Sequence, residues 1–327
     1  MTCPAGFNAG SSCFSATISC PKINDIQVTY GLLGKDTNGT IVLFNGRGGT
    51  IVGNVAHIAA YSSKGFQTVQ TLWPTDWEDT GAGAGTNVKL AACRPATFMN
   101  YVFQTIHSAG GMCAEGTSAG SAAIAYALAE YGAGSYLDNV ELLSGPVLTD
   151  IALGCNPRTR VVSVCASGCR TGTPPEGGWP DPPQYVGGDQ DLIDQWSGAI
   201  SQCVTQNVPQ SQFTAWKGMS IVDGLGDSSF SYPQTAIAGW LCSKTSVNCT
   251  KTCQNNSAAE GLLYYASIKR SGQPLNVYRV DRCLGPEGID AGVLPPPNNS
   301  ETGFTAITND MVSACHSRNP LMGQSAE

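Results

Sequence analysis

The sharpest chemical signal in the chain is the sequence Gly-Thr-Ser-Ala-Gly at residues 116–120. A short apolar run at 111–115 precedes it, and an alanine-rich helical pattern at 118–131 follows. A serine on so sharp a strand-to-helix turn needs small neighbours, because its backbone is strained. The turn lifts Ser118 Oγ out over the sheet edge, and the new helix aims free N–H groups, first that of Ala119, at an oxyanion formed there. The pattern predicts that Ser118 is a nucleophile for acyl transfer.

An oxyanion needs a second donor from elsewhere in the chain. The sequence Gly-Arg-Gly-Gly at residues 46–49 follows a predicted strand at 40–44, well before the serine. The backbone N–H of Arg47 or Gly48 is the predicted second donor. The alternative interpretation is a plain turn from a strand into a helix.

These two glycine turns, together with Gly-Leu-Gly-Asp at residues 224–227 after a predicted strand at 219–222, resemble the α/β-hydrolase fold, specifically secreted serine esterases and lipases. The resemblance covers about residues 26–315, as an order of elements and a spacing of motifs. It implies that Asp227 is the catalytic acid, which orients and charge-stabilises a histidine. The alternative is that Asp227 is an ordinary turn former or helix cap.

The catalytic histidine is missing from the place that this resemblance implies. It should come from the loop after the last strand, at residues 282–290, and this loop contains none. His316 has the right chain order and is kept as a candidate base. The last predicted helix would carry it about 15 Å away from the site unless the proline-rich segment 294–299 reroutes the chain. His57 and His107 are interpreted as structural.

A carboxylate is the alternative base. Glu287 lies near the position that the resemblance gives to the histidine, and Asp290 follows it in the same loop. A carboxyl pKa of about 4.3 makes Glu287 a poor proton acceptor unless burial raises that pKa. An ordinary turn residue is the other interpretation of Glu287.

The predicted elements alternate strands with helices, which favours a mostly parallel sheet flanked by helices. Strands are predicted at 26–33, 40–44, 66–73, 111–115, 140–143, 219–222 and 276–280, and helices at 51–63, 94–107, 118–131, within 234–242, 258–270 and 303–315. The predicted fold class is α/β, hydrolase-like, with an inserted cap rich in Cys, Pro and Gly. Its parts are a Cys-rich lead (1–25), the first part of the hydrolase-like domain (26–150), the cap (151–217) and the second part (218–327).

Composition excludes several classes of protein. The 327 residues are 42% hydrophobic and only 13% charged, against a usual charged share of about 25%, so neither a disordered chain nor a charge-rich coiled coil fits. The net charge is −7 and no run of Lys or Arg occurs, so nucleic acid and anionic membranes are poor partners. No apolar stretch approaches the length of about 20 residues that a transmembrane helix needs. No cofactor is predicted.

The 14 cysteines predict disulfides and secretion. Zinc is the competing interpretation, but the pairs Cys165/Cys169 and Cys249/Cys253 have no nearby histidine. Four Asn-x-Ser/Thr sites for N-glycans agree with secretion: Asn38, Asn248, Asn255 and Asn298.

Three functional hypotheses follow from these residues. The favoured one is an extracellular serine hydrolase of carboxylic esters, on small-molecule or polymer substrates. The second is a catalytically degenerate protein of the same fold that keeps a binding role. The third is a repurposed site in which Glu287 or Asp290 is the base.

Overall fold

A computed structural model of the chain describes residues 1–50, 55–80, 87–151, 208–222, 229–242, 256–271, 275–280, 289–291, 293–294 and 301–316. Its strands are β1 Ser12–Ile18, β2 Ile26–Leu33, β3 Gly39–Phe44, β4 Phe66–Leu72, β5 Gly111–Thr117, β6 Asn139–Leu143, β7 Phe230–Tyr232, β8 Ala236–Cys242, β9 Ile268–Ser271 and β10 Asn276–Val280. Its helices are α1 Val55–Ser63, α2 Val88–Ala91, α3 Cys93–Thr105, α4 Ala119–Glu130, α5 Gln210–Met219, α6 Asn256–Ser267 and α7 Gly303–Ala314. Short 3₁₀ turns lie at Arg47–Gly49, Ala133–Ser135 and Ile289–Ala291.

Eight strands form one sheet in the order β1-β2-β4-β3-β5-β6-β8-β10. The first two pairings, β1 with β2 and β2 with β4, are antiparallel, and the other five are parallel. A separate two-stranded sheet joins β7 to β9. The prediction of a mostly parallel sheet flanked by helices is confirmed.

The central strands are covered on both faces, which explains why β3 is an almost unbroken apolar run. Side chains alternate along β5, so its two faces meet different helices. Met112 and Ala114 pack in the core with residues of α3 and α4. Cys113 packs on the opposite face with residues of α1 and α7, and Glu115 lies on that face as well.

Two predicted elements are wrong. The predicted strand at 219–222 is the end of helix α5 and the loop after it, where the Val222 N–H donates to the Thr149 carbonyl at 2.9 Å. The helix predicted within 234–242 is strand β8, which pairs in parallel with β6 and β10. Short apolar runs have no distinct period, and only their neighbours in the fold decide their structure.

Three disulfides lie in the described part of the chain: Cys3–Cys13, Cys20–Cys93 and Cys113–Cys315. The prediction of disulfides is confirmed for these six cysteines. The side chains of the other cysteines fall outside the description. None of the described helices is both long and apolar enough to cross a membrane.

Candidate functional site

Ser118 lies at the junction of β5 and α4, with φ 53° and ψ −116°. This positive φ is costly for a residue with a side chain, about 1–3 kcal/mol, and persists only when the surroundings impose it. They do so here: the Ser118 N–H donates to the Leu143 carbonyl at 2.9 Å, and its own carbonyl accepts from the Ala122 N–H and the Ser121 hydroxyl. Ser118 is only partly buried. Its strained backbone is therefore held from the sheet and from the helix.

The two glycines around Ser118 are required by close packing of backbone on backbone. A Cβ at Gly116 would lie 2.3 Å from the carbonyl oxygen of Gly120. A Cβ at Gly120 would lie 2.3 Å from the carbonyl oxygen of Phe44, the last residue of β3. Any side chain at either position would push the serine turn away from the sheet.

The predicted oxyanion donors lie at the same edge of the sheet as Ser118. Ala119 is the first residue of α4, where helical N–H groups have no acceptor within the helix. The Arg47–Gly49 turn follows β3 and contacts α4. The turn is fixed by hydrogen bonds from the N–H groups of Trp77 and Trp73 to the carbonyls of Gly48 and Gly49, each at 2.9 Å.

His316 lies at the other edge of the sheet. A Cβ at Gly111, the first residue of β5, would lie 2.7 Å from the His316 backbone nitrogen. Ser118 follows the last residue of β5, which puts the two ends about 20 Å apart. Helix α7 carries the chain back along the sheet, so the structure does not bring His316 to Ser118. This placement argues against His316 as the base for Ser118.

His107 also lies at that far edge. Its Nδ1 is 3.1 Å from Thr40 Oγ1 at the start of β3 and 3.4 Å from Asp36 Oδ2. Burial raises the pKa of Asp36, but hydrogen bonds from His107 and from the N–H groups of Ser108 and Ala109 lower it by more. The pKa of Asp36 therefore lies below its usual value. This arrangement agrees with a structural role for His107.

His57 is differently placed. It lies in α1, buried, with Nδ1 3.6 Å from Glu115 Oε1. The Tyr61 hydroxyl donates to the other oxygen of Glu115 at 2.5 Å. The His57 ring stacks on Phe304 at the start of α7, with ring centroids 4.4 Å apart. Its Nε2 is buried and has no hydrogen-bond partner among the described residues.

Sequence reasoning missed the pairing of His57 with Glu115. The available signal was a carboxylate inside an otherwise apolar strand, directly before the serine motif, since glutamate is almost never buried without a partner. The partner lies in a different element, and no local pattern points to it.

Most of the other predicted site residues lie outside the described residues. Asp227 and Glu287 are not among the described residues, nor is the side chain of Arg47. The strand on which the position of Asp227 was based is the end of a helix. Asp290 lies in the Ile289–Ala291 turn.

Trp77 and Trp216 are buried in the main core. Within the described residues no group of three or more His, Cys, Asp or Glu side chains is arranged to hold a metal ion.

No protein-family model and no curated protein sequence matches the chain. Among solved structures it is similar to oligopeptidase B from Trypanosoma brucei with covalently bound antipain, at 10% identity and a TM-score of 0.56, covering 95% of this chain and 38% of that one. Oligopeptidase B from Leishmania major gives 10% identity and a TM-score of 0.52, covering 95% and 37%. The alpha/beta hydrolase domain-containing protein 10 from mouse gives 9% identity and a TM-score of 0.47, covering 92% and 96%.

The chain spans well under half the length of the two oligopeptidases. At these identities the likeness establishes the fold alone. Together with the sheet order, it identifies an α/β-hydrolase fold, which confirms the predicted fold class.

Proposed function

We propose that the protein is an extracellular serine hydrolase that acts on carboxylic esters, with Ser118 as the nucleophile. The observation that carries this proposal is the strained backbone of Ser118 at the β5–α4 junction. A glycine would adopt this conformation without cost, so the retention of a hydroxyl-bearing residue supports a chemical role. The N–H of Ala119 and the turn at 47–49 supply donors on the same edge.

The reaction proceeds in two acyl transfers. Ser118 Oγ forms a bond to the ester carbon, its proton passes to a base, and the carbonyl electron pair moves onto oxygen. The N–H groups of Ala119 and of Gly48 or Arg47 stabilise that oxyanion, where one donor is worth about 10²–10³ in turnover. The carbon–oxygen bond to the alcohol then breaks, and the alcohol takes the proton from the base. Water repeats the sequence on the acyl-enzyme and releases the acid.

Extracellular location is supported by the three disulfides and by an exposed Asn38 in its glycosylation sequence. The other three sequence sites, Asn248, Asn255 and Asn298, lie outside the described residues. N-glycans at all four sites remain part of the proposal. Asp227 as the acid and Glu287 as an alternative base also remain proposals from the sequence.

A binding role without catalysis is the second candidate. It is favoured by one observation: two of the three histidines, His107 and His316, lie at the edge of the sheet opposite Ser118. A site with no usable base would bind an ester without turning it over.

The test compares the wild-type protein with Ser118→Ala. We expect a fluorophosphonate to label the wild type once, at Ser118, as located by peptide mass spectrometry. We expect kcat/KM on nitrophenyl esters of two- to eight-carbon acids to fall at least 10³-fold in the variant, because the nucleophile is lost. Equal turnover by both proteins would contradict the nucleophile, whereas absence of both labelling and turnover would favour the binding role.

A further inference from the structure

We propose that His57, held by the carboxylate of Glu115, is the general base for Ser118. The inference rests on the proposed function and names the group that this function lacks. It differs from the arrangement that the sequence resemblance implies, in which the histidine follows the last strand of the sheet and the acid follows an earlier one.

The positions of the three histidines favour His57. The chain has only three histidines, and all three lie in its described part. His107 contacts the start of β3 and His316 contacts the start of β5. Helix α1, which carries His57, follows the Arg47–Gly49 turn and so begins at the Ser118 edge of the sheet. If an imidazole serves Ser118, it belongs to His57.

Two side chains of helix α1, His57 and Tyr61, contact Glu115. Helix α1 runs from the Ser118 edge back to the start of β4, because β3 and β4 are parallel. Tyr61 lies one turn after His57, about 6 Å further from the Ser118 edge. These two side chains meet the two oxygens of Glu115. His57 therefore lies on the Ser118 side of the carboxylate.

Glu115 orients the imidazole of His57. The two ring nitrogens point in nearly opposite directions, and Nδ1 faces Glu115. Nε2 thus points away from Glu115. A proton on Nδ1, directed at the carboxylate, leaves Nε2 as a proton acceptor. This Nε2 is buried and has no hydrogen-bond partner among the described residues, so its contact with Ser118 Oγ forms only when the ester is bound.

The spacing along β5 fits this arrangement. Glu115 and Ser118 are three residues apart, or about 10 Å between Cα atoms in an extended strand. His57, on the Ser118 side of Glu115, covers part of this gap.

The proton transfers balance as follows. The hydroxyl proton of Ser118 passes to His57 Nε2 while Oγ bonds to the ester carbon. The imidazolium, stabilised by the ionised Glu115, then gives this proton to the departing alcohol oxygen as the carbon–oxygen bond breaks. In deacylation Nε2 takes a proton from water and returns it to Ser118 Oγ.

The first experiment compares His57→Gln, Glu115→Gln and His316→Gln with the wild type. We expect kcat to fall at least 10³-fold in His57→Gln and about 10²–10⁴-fold in Glu115→Gln, as for other members of serine catalytic groups. His316→Gln should stay within twofold of the wild type, because this exposed histidine lies at the far edge. Imidazole added to His57→Ala should restore turnover in proportion to its concentration, which a purely structural role would not produce.

The outcomes separate the two proposals. Loss of turnover in Ser118→Ala but not in folded His57→Gln, as judged by circular dichroism, overturns the role of His57 and leaves the hydrolase intact. A wild type that neither turns over esters nor reacts with fluorophosphonate overturns both.

A measurement on the wild-type protein decides the question if the His57 variants fail to fold. Nitrogen-15 NMR of histidine-labelled protein is recorded before and after Ser118 is phosphonylated. We expect the His57 signals to move to those of an imidazolium, with a strongly deshielded Nδ1 proton facing Glu115. Unchanged His57 signals in fully phosphonylated protein would overturn the proposal.

Discussion

At the scale of single residues, the candidate site depends on two glycines beside Ser118. Gly116 and Gly120 have no Cβ, and this lets the serine turn press directly on the end of β3. Ser118 alone among the three carries a side chain, at a φ that disfavours one. The motif thus contains two glycines that close packing requires and one serine in a backbone conformation that favours glycine.

We predict that Gly120→Ala destabilises the protein by about 2–3 kcal/mol and lowers kcat, because the new Cβ meets the Phe44 carbonyl and displaces Ser118. Denaturant titration gives the free energy of unfolding, and ester turnover gives kcat. Gly218→Ala is the matched control: its Cβ meets nothing within 4 Å, and helix propensity gives a gain of up to about 1 kcal/mol. Equal effects of the two substitutions would contradict the steric account.

At the scale of elements, the parallel pairing of β5 with β6 places two glutamates side by side. Glu115 and Glu141 are directly opposite in the register and therefore share one face of the sheet. Burial, followed by the neighbouring Asp310, raises the pKa of Glu141 well above its usual value, although a hydrogen bond from Trp240 Nε1 lowers it. The helix that covers this face thus packs on a carboxyl group that resists ionisation.

This raised pKa makes stability depend on pH in a definite direction. Between the unfolded pKa, near 4.5, and the higher native pKa, the native state binds more protons, so the free energy of unfolding falls as pH rises. Glu141→Gln keeps an acceptor for Trp240 but cannot ionise. We expect the free energy of unfolding of the variant, relative to that of the wild type, to rise by up to about 1.4 kcal/mol for each pH unit above pH 4.5. Below pH 4.5 we expect no such rise.

Denaturant titrations at pH 4, 6 and 8 measure this difference. Glu130→Gln is the control, because Glu130 forms a surface ion pair with Lys89 at 2.8 Å and such pairs contribute under about 1 kcal/mol. Parallel pH profiles for Glu141→Gln and the wild type would show that Glu141 titrates normally in the native state.

At the scale of the whole molecule, two of the three described disulfides connect distant parts of the chain. Cys113 in β5 is bonded to Cys315 after α7, across a sequence separation of 202. This bond fastens the last described helix to the strand that leads to Ser118. It therefore holds α7 against the face of the sheet on which Glu115 and Glu141 lie and against which His57 packs.

We expect removal of this disulfide, by Cys113→Ala with Cys315→Ala, to lower the free energy of unfolding by about 3–5 kcal/mol, because a long loop is released in the unfolded chain. Removal of Cys3–Cys13, with a separation of 10, should cost about 2–3 kcal/mol by the same reasoning. Denaturant titration under non-reducing conditions measures both. A larger loss from the Cys3–Cys13 pair would contradict this order.

The sequence by itself determined what adjacent residues decide. The small residues around Ser118 must turn sharply, the alternation of strands and helices favours a parallel sheet, and the number of cysteines favours disulfides. These properties depend on steric limits and composition within short segments, which are the same in any tertiary context.

Only the tertiary structure decided what depends on contact between distant segments. It made residues 236–242 a strand rather than a helix, paired Cys113 with Cys315, and placed His316 at the wrong edge of the sheet for Ser118. It also set His57 against Glu115, a pairing that no local pattern indicates. The physical reason is that pairing and burial are properties of two surfaces brought together, and a single stretch of sequence carries only one of them.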